Sequence, residues 1–186
     1  MTELREELRA LYDELRSKMR NDWSRDLPLE ELLFDRWERA QSLGFGEGAS
    51  IYHNSYVFGD VKVGPKTWIG PFTMLDGSGG LTIGAGCSIS SGVHIYTHDT
   101  VRWAVSGGQV PAERDAVAIG DYTYLGSQTV VAKGVTIGDH VVVGACSFVN
   151  RDIPPYTVAV GVPCRPIGTV EVNENADVRL VYDGRG

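Results

Sequence analysis

The stretch that decides the fold runs from Ile119 to Gly168 and reads IGDYTYLGSQTVVAKGVTIGDHVVVGACSFVNRDIPPYTVAVGVPCRPIG. Over its first part an aliphatic residue occupies every sixth position, at Ile119, Leu125, Val131, Ile137, Val143 and Val149. A β-strand alternates with a period of two and an α-helix repeats every 3.6 residues, so neither element alone explains this spacing. A fixed six-residue period is typical of a β-solenoid, in which each repeat contributes one short strand and one turn.

The same period extends towards the N-terminus, although it slips by two residues after Leu75 and is interrupted between Ile95 and Ile119. The further aliphatic residues in phase are Ile51, Val57, Val63, Ile69, Leu75, Ile83, Ile89 and Ile95. We call these fourteen residues the anchors and expect each to point into a narrow core. The fourth residue after most anchors is small or β-branched. A glycine directly follows several anchors, as Gly84 and Gly120 do, and is expected to permit tight turns.

The segments outside the repeat have other patterns. Apolar residues from Leu4 to Met19 recur at three- and four-residue steps and predict an amphipathic helix. A second helix is predicted to begin at Asp26 and to end at Gly44 or Gly46. We expect the two helices to cover the core as a lid or to form an oligomer contact. The motif VRLVY in the tail predicts a short strand or cap on the last coil. The predicted division is a helical segment 1–48, a solenoid 49–168 with a loop 96–118, and a tail or cap 169–186.

Composition excludes several classes of protein. The chain has 186 residues, 42% of them hydrophobic, and a net charge of -7, which argues against a disordered chain and against a general binder of nucleic acids or membrane surfaces. No apolar run approaches the length of a transmembrane helix, and the charged N-terminus shows no secretory signal, so we expect a cytoplasmic protein. Three scattered cysteines fit reduced thiols rather than a disulfide framework.

The repeat resembles that of the hexapeptide-repeat acyltransferases, which are left-handed parallel β-helices, over about residues 50–168. The motifs DIPP and GVPCR make the quoted stretch especially similar to the galactoside and maltose O-acetyltransferase branch. The resemblance implies a mainly β, triangular solenoid with three hexapeptides per coil, N-terminal helices and one long extruded loop. It also implies acetyl-CoA as acyl donor, no metal, and a homotrimer whose active sites lie between subunits.

The interruption after Ile95 reads YTHDTVRWAVSGGQVPAERDAVA and predicts a functional loop. An imidazole is suited to remove a proton from a hydroxyl at neutral pH, and the resemblance assigns this role to His98, if a two-residue difference in loop length is allowed. His94 is the competing histidine, but it lies within an in-phase repeat. A carboxylate near the loop could orient the imidazole, and each candidate could equally be a solvated loop charge. The candidates are Asp99, Glu113 and Asp115.

The resemblance also implies binding residues for the two substrates. For coenzyme A they are Ser127 and Ala145 along the pantetheine arm, with Asn150, Arg151 and Arg165 near the nucleotide. Gly168 stands where the galactoside enzyme has a further cation, and the acceptor pocket lacks that enzyme's Asn, so the acceptor differs from the family pattern. Candidate acceptor contacts are Asp76, Arg102 and Trp103.

The sequence therefore predicts an acetyl-CoA-dependent acetyltransferase acting on a sugar hydroxyl, in polysaccharide or small-glycan metabolism. N-acetylation of a nucleotide-linked amino sugar is the alternative. Two other classes share the fold: a metal hydratase of the γ-carbonic anhydrase type, and a catalytically silent scaffold. The four histidines His53, His94, His98 and His140 are too dispersed in the sequence to favour the hydratase.

Overall fold

The computed structural model of the protein describes residues 2–173, 175 and 177–184. The helices are α1 Thr2–Trp23, α2 Leu29–Leu33, α3 Arg36–Ser42 and α4 Val101–Val105. The strands are β1 Ser50–Ile51, β2 Tyr56–Val63, β3 Trp68–Ile69, β4 Met74–Ile83, β5 Ser88–Ile89, β6 His94–Ile95, β7 His98–Asp99, β8 Glu113–Arg114, β9 Val117–Ile119, β10 Tyr124–Leu125, β11 Val130–Val131, β12 Thr136–Ile137, β13 Val142–Val143, β14 Phe148–Val149, β15 Thr157–Val160, β16 Arg165–Val172 and β17 Val178–Tyr182.

Parallel pairing stacks the strands into a three-sided solenoid. One coil takes one strand from each side, as in the coil of Leu125, Val131 and Ile137, and about six coils are stacked. Face 1 aligns Ile51, Ile69, Ile89, Leu125, Val143 and Ala159. Face 2 aligns Val57, Leu75, Ile95, Val131 and Val149. Face 3 aligns Val63, Ile83, Ile119, Ile137 and Ile153. The predicted mainly β solenoid with three hexapeptides per coil is confirmed.

The anchors form the core, as the period predicted. All of them are buried except Val57, which is half-buried and packs against the core. Most of the residues four positions later are buried too, and hydroxyl groups among them bind the turns: Thr67 donates to the Gly84 carbonyl at 2.7 Å, and Thr123 donates to the Gly138 carbonyl at 2.8 Å. These hydroxyls satisfy backbone oxygens of the next coil, so the polar positions of the repeat hold neighbouring coils together.

The glycines that follow the anchors have a different role from the predicted one. Gly84 and Gly120 are absent from the residues with positive φ, whereas the turns place Tyr122, His140 and Tyr156 at φ of 55°, 54° and 56°. A Cβ at Gly120 would lie 2.2 Å from the Asp139 Oδ1 atom and 2.7 Å from its backbone nitrogen. These glycines are required because the backbone of the next coil approaches too closely for a side chain.

The N-terminal region forms three helices rather than the predicted two. Helix α1 confirms the first prediction, but Asp26 does not begin a helix: its carboxylate binds Arg16 and Arg20, with Arg16 Nη2 to Asp26 Oδ2 at 2.6 Å. The segment after it breaks into α2 and α3. Asp35 is the N-cap of α3, because its Oδ1 atom accepts hydrogen bonds from the amides of the first turn.

Different elements cover the two ends of the solenoid. Helix α3 packs on the first coil, where Arg39 donates to the carbonyls of Tyr52 and Ser55. At the other end β16 pairs antiparallel with β15 and with β17, so the strand predicted from VRLVY is confirmed. These additions pair or cover the open strand edges that a bare solenoid would expose.

The irregularities of the repeat collect at one edge of the solenoid. We call the edge between faces 1 and 2 the first corner, that between faces 2 and 3 the second corner, and the remaining edge the third corner. At the second corner, β4 carries the two-residue slip at Gly77–Gly80, and the next coil extrudes the loop between Tyr96 and Ala116. Within this loop β7 and β8 form a short antiparallel hairpin and α4 lies at its far end.

Candidate active site

The second corner brings a buried carboxylate against a histidine. Asp76, directly after the anchor Leu75, is only 2% exposed, and His98 lies at the root of the loop in the next coil. The Nδ1 atom of His98 is 2.6 Å from the Oδ2 atom of Asp76. The two-residue slip at Gly77–Gly80 follows Asp76 directly in the sequence.

Several donors converge on the Asp76 carboxylate. Oδ1 accepts from the Ser78 amide at 3.0 Å and from the Ser78 hydroxyl, and Oδ2 accepts from the Thr97 amide at 2.9 Å. Burial alone would raise the pKa of Asp76, but the hydrogen bonds from Ser78, His98 and Thr97 together hold this pKa well below its ordinary value.

The ionised carboxylate fixes the orientation and tautomer of His98. A carboxylate can only accept, so the Nδ1 atom of His98 must carry the proton that it donates to Asp76. In the neutral ring the lone pair then lies on Nε2, the atom that can take up a proton. The His98 side chain is 37% exposed, so the ring is held on one side and accessible on the other.

The three carboxylates expected to orient His98 lie elsewhere. Asp99 and Glu113 both bind Lys133, each at 3.0 Å from its Nζ atom. Asp115 contributes its amide to the Thr97 carbonyl at 2.9 Å. The carboxylate that contacts the His98 ring is Asp76, which comes from the preceding coil and not from the loop.

Lys133 is a residue of the site that the sequence analysis missed. Its side chain is 24% exposed, and its ammonium group lies between Asp99 and Glu113. The hydrogen bonds that Lys133 donates to Glu113 and Asp99 raise the pKa of Lys133, and those that Glu113 accepts from Arg102 and Lys133 lower the pKa of Glu113. A lysine one residue before the turn glycine Gly134 breaks no pattern of the repeat, so no sequence signal marked it.

A cleft opens beside His98 with a volume of about 450 Å³. It is lined by Tyr96, His98, Asp99, Thr100, Val101, Val130, Ala132, Lys133 and Phe148. The lining combines the apolar outer surface of face 2 with the charged base of the loop. Such a cleft can hold an organic group against the imidazole.

The predicted acceptor contacts occupy two environments. Asp76 is turned towards His98 and buried, so its carboxylate faces the imidazole and not open solvent. Arg102 and Trp103 lie on α4 in the loop, with Trp103 52% exposed and Arg102 paired with Glu113 at 2.9 Å. Neither Arg102 nor Trp103 is among the residues that line the cleft, although Val101 of the same helix is.

The predicted coenzyme A residues lie on both edges of face 2. Ser127 and Ala145 occupy the first corner in neighbouring coils, where the Ser127 carbonyl accepts from the Cys146 amide at 2.9 Å. Asn150 and Arg151 occupy the second corner, two coils from His98, and both are exposed. Arg165 is exposed at the start of β16. Within one protomer the structure does not bring Ser127 and Ala145 to His98.

The other histidines have separate surroundings. His94 points outward on face 2, with Nδ1 3.2 Å from the Tyr96 hydroxyl. His140 stacks between Tyr122 and Tyr156 on the third corner, with ring centroids 5.0 and 4.8 Å away. Across the part of the chain that the structure describes, no group of three or more His, Cys, Asp or Glu side chains is placed to hold a metal ion. None of the described helices has the length and apolar character needed to cross a membrane.

Comparisons with known proteins agree with the fold. Residues 116–151 match the family described as bacterial transferase hexapeptide (six repeats). Galactoside O-acetyltransferase of Escherichia coli (strain K12) is 52% identical over 58 residues, which are 31% of this chain and 28% of that protein. The match thus spans little more than a quarter of this curated relative.

Two solved structures match most of the chain. A hexapeptide-repeat acetyltransferase of Vibrio cholerae O1 biovar eltor, complexed with acetyl coenzyme A, has a TM-score of 0.66 and 26% identity, covering 88% of this chain and 87% of that one. A galactoside acetyltransferase in complex with coenzyme A has a TM-score of 0.64 and 27% identity, covering 87% and 82%. The repeat, the stacked coils and these matches confirm the resemblance of the chain to the hexapeptide-repeat acetyltransferases, the galactoside O-acetyltransferase among them.

Proposed function

We propose that the protein transfers an acetyl group from acetyl-CoA to a hydroxyl group of a sugar. The observation that carries the proposal is the pair of Asp76 and His98, joined at 2.6 Å beside an open cleft. A buried carboxylate that orients a partly exposed imidazole is well suited to general base catalysis. Acetyl-CoA as donor is supported by the acetyl-CoA and coenzyme A bound in the two structural relatives.

The proposed mechanism uses His98 as the base. Its Nε2 atom takes the proton of the acceptor hydroxyl while the hydroxyl oxygen attacks the thioester carbonyl carbon, which gives a tetrahedral oxyanion. The carbon–sulfur bond then breaks, and the proton passes from the imidazolium to the departing thiolate, so the products are an acetyl ester and free coenzyme A. Asp76 holds the ring and stabilises its cationic form throughout.

A backbone amide is proposed to stabilise the oxyanion. The amide of Gly144 already donates to the Ala159 carbonyl at 2.9 Å, since it belongs to the ladder between coils. The amide of Ser127 at the first corner is therefore the better candidate.

The position of the donor residues leads us to propose a homotrimer. Ser127 and Ala145 lie one face away from His98, so a complete site requires the first corner of one protomer to meet the second corner of another. The face between these corners carries an outward stripe that is largely apolar, aligned by strand pairing. The stripe consists of Tyr56, Met74, His94, Val130 and Phe148. An apolar face between the two halves of a site is suited to contact with a second copy.

The acceptor is assigned only as a class. Trp103 can stack on the C–H face of a pyranose, and Arg102 can bind hydroxyl or phosphate oxygens. N-acetylation of a nucleotide-linked amino sugar would use the same base on a neutral amine. Sugar hydroxyls are favoured because the galactoside enzyme is 52% identical to this chain over 58 residues.

The proposal is tested by release of free thiol from acetyl-CoA in the presence of chelator and a panel of sugars, amino sugars and nucleotide sugars. We expect acceptor-dependent release with at least one sugar, and a product that mild alkali hydrolyses, as it does an ester but not an amide. His98→Ala is expected to lower turnover about 100-fold or more. His140→Ala, on the third corner, serves as the matched control. Normal turnover by His98→Ala, or no acceptor-dependent release by the wild type, would contradict the proposal.

A further inference from the structure

The ammonium group of Lys133 contacts both strands of the loop that carries His98. Lys133 belongs to the coil that follows the loop, and its Nζ atom lies 3.0 Å from Asp99 Oδ2 and 3.0 Å from Glu113 Oε2. Asp99 is on β7 and Glu113 is on β8, and the two residues face each other in the hairpin register. Lys133 therefore binds both strands of the hairpin at one pair of opposing residues.

The same contacts reach the helix of the loop. Glu113 uses its second oxygen to bind Arg102 of α4 at 2.9 Å, and Asp99 Oδ1 accepts from the Val101 amide at 3.0 Å, at the start of α4. Both strands and the helix are thus connected through the two carboxylates that Lys133 neutralises. Without this cation, two carboxylates opposite each other in the hairpin would repel.

We infer that Lys133 is a positioning residue, which holds the loop against the solenoid and thereby keeps the His98 imidazole and the cleft wall in their working positions. His98 directly precedes Asp99, so the histidine is fixed from two sides: its ring by Asp76 and its backbone neighbour by Lys133. Asp76 sets the ring orientation, and Lys133 sets where the loop places that ring. This inference rests on the proposed function for its kinetic consequence but not for its structural one.

The structural consequence is measured on the free protein by hydrogen–deuterium exchange. Lys133→Met keeps the aliphatic length of the side chain and removes its charge, and we expect exchange of loop amides between residues 98 and 116 to rise about 10-fold. Exchange in the strands of faces 1 and 3 is expected to stay at the wild-type level. Lys133→Arg keeps the charge and is expected to stay close to wild type.

Matched variants separate this effect from general destabilisation. Lys62 pairs with Asp60 at 3.6 Å on the first coil, with both side chains more than 70% exposed, so Lys62→Met removes a lysine that holds no loop. Glu113→Gln weakens the same junction from the loop side and serves if Lys133→Met does not fold. The double variant Lys133→Met/Glu113→Gln is expected to show no more loop exchange than Lys133→Met alone, since both substitutions break one network.

The kinetic arm measures the effect on transfer. We expect Lys133→Met to lower kcat about 10-fold with little change in the KM for acetyl-CoA, and Lys133→Arg to recover most of the loss. Loop exchange at the wild-type level in Lys133→Met and Glu113→Gln, or an equal rise in Lys62→Met, would overturn the inference. If Lys133→Met raises loop exchange but the wild type transfers no acetyl group, the role of Lys133 in holding the loop is upheld and the proposed function is refuted.

Discussion

Asp76 and His98 lie 22 positions apart in the sequence, yet the Oδ2 atom of the first is 2.6 Å from the Nδ1 atom of the second. The two residues occupy the same corner of successive coils. An irregularity of the repeat lies beside each: the two-residue slip follows Asp76, and His98 lies at the root of the extruded loop. The regular coils form the scaffold, and the departures from regularity build the candidate site.

Replacing the orienting carboxylate is expected to impair catalysis without affecting donor binding. Asp76→Asn keeps the size of the side chain but removes the charge that stabilises the imidazolium, so we predict a loss of about 100-fold in kcat. The KM for acetyl-CoA should stay near the wild-type value, and thiol-release kinetics measure both constants. Asp60→Asn changes an exposed carboxylate on the same corner and should leave kcat unchanged. If Asp76→Asn turns over at the wild-type rate, Asp76 does not orient the base.

The same carboxylate predicts how stability depends on acid. Hydrogen bonds hold the pKa of Asp76 in the folded protein below its ordinary value, which is about 3.9 in an unfolded chain. As pH falls through that value, the unfolded state takes up a proton that the folded state does not, so folding stability declines. Above it, both states are ionised and the contribution of Asp76 is fully present.

Urea denaturation between pH 6 and pH 3 measures this contribution. The wild type should lose more stability than Asp76→Asn over this range, and the two curves should converge towards acid. Parallel curves would show that Asp76 does not titrate as the structure requires.

Much of this fold could be predicted from the sequence because the repeat is a local pattern with a clear physical cause. The anchors from Ile51 to Val149 identify the core, since a six-residue period leaves one inward position per strand. The pairing of Asp76 with His98 could not be predicted, because the slip made the alignment of neighbouring coils uncertain at that corner. The contacts of Lys133 with Asp99 and Glu113 depend on how the loop folds back onto the solenoid, and no local sequence pattern indicates that path.

The helix boundaries and the glycines show a second limit. Asp26 has the residue type of an N-cap, but two arginines on the preceding helix bind its carboxylate, and Asp35 caps instead. Glycine was interpreted as a turn residue, yet Gly120 is needed because the next coil passes 2.2 Å from where its Cβ would be. Both errors arise because a residue type has several uses and the tertiary contact selects one.

The close stacking of coils gives a prediction on stability. Gly120→Ala places a methyl group against the backbone and side chain of Asp139, so we expect a loss of about 1–3 kcal/mol in the free energy of unfolding. Ala118→Ser, at an exposed position of β9, which ends directly before Gly120, should change the free energy of unfolding by less than about 0.5 kcal/mol. Equal stability of the two variants by urea denaturation would contradict the stacking role of the glycine.

Mixing of subunits tests whether the active site lies between protomers. His98→Ala removes the proposed base at the second corner, and Ala145→Trp is expected to block binding of acetyl-CoA at the first corner, so each variant alone should be inactive. When the two variants are expressed together and assemble at random, about one quarter of the sites combine the second corner of an Ala145→Trp chain with the first corner of a His98→Ala chain. Both corners of such a site are intact. We predict thiol release at about that fraction of the wild-type rate. No recovery in verified mixed oligomers would show that each site belongs to one protomer.

Calorimetric titration with acetyl-CoA tests the central claim most directly, because it needs no knowledge of the acceptor. The wild type and His98→Ala should both bind acetyl-CoA with micromolar affinity, and chelator should not change the result. Failure of both proteins to bind acetyl-CoA, or binding that requires an added metal ion, would contradict the assignment of this solenoid as an acetyltransferase.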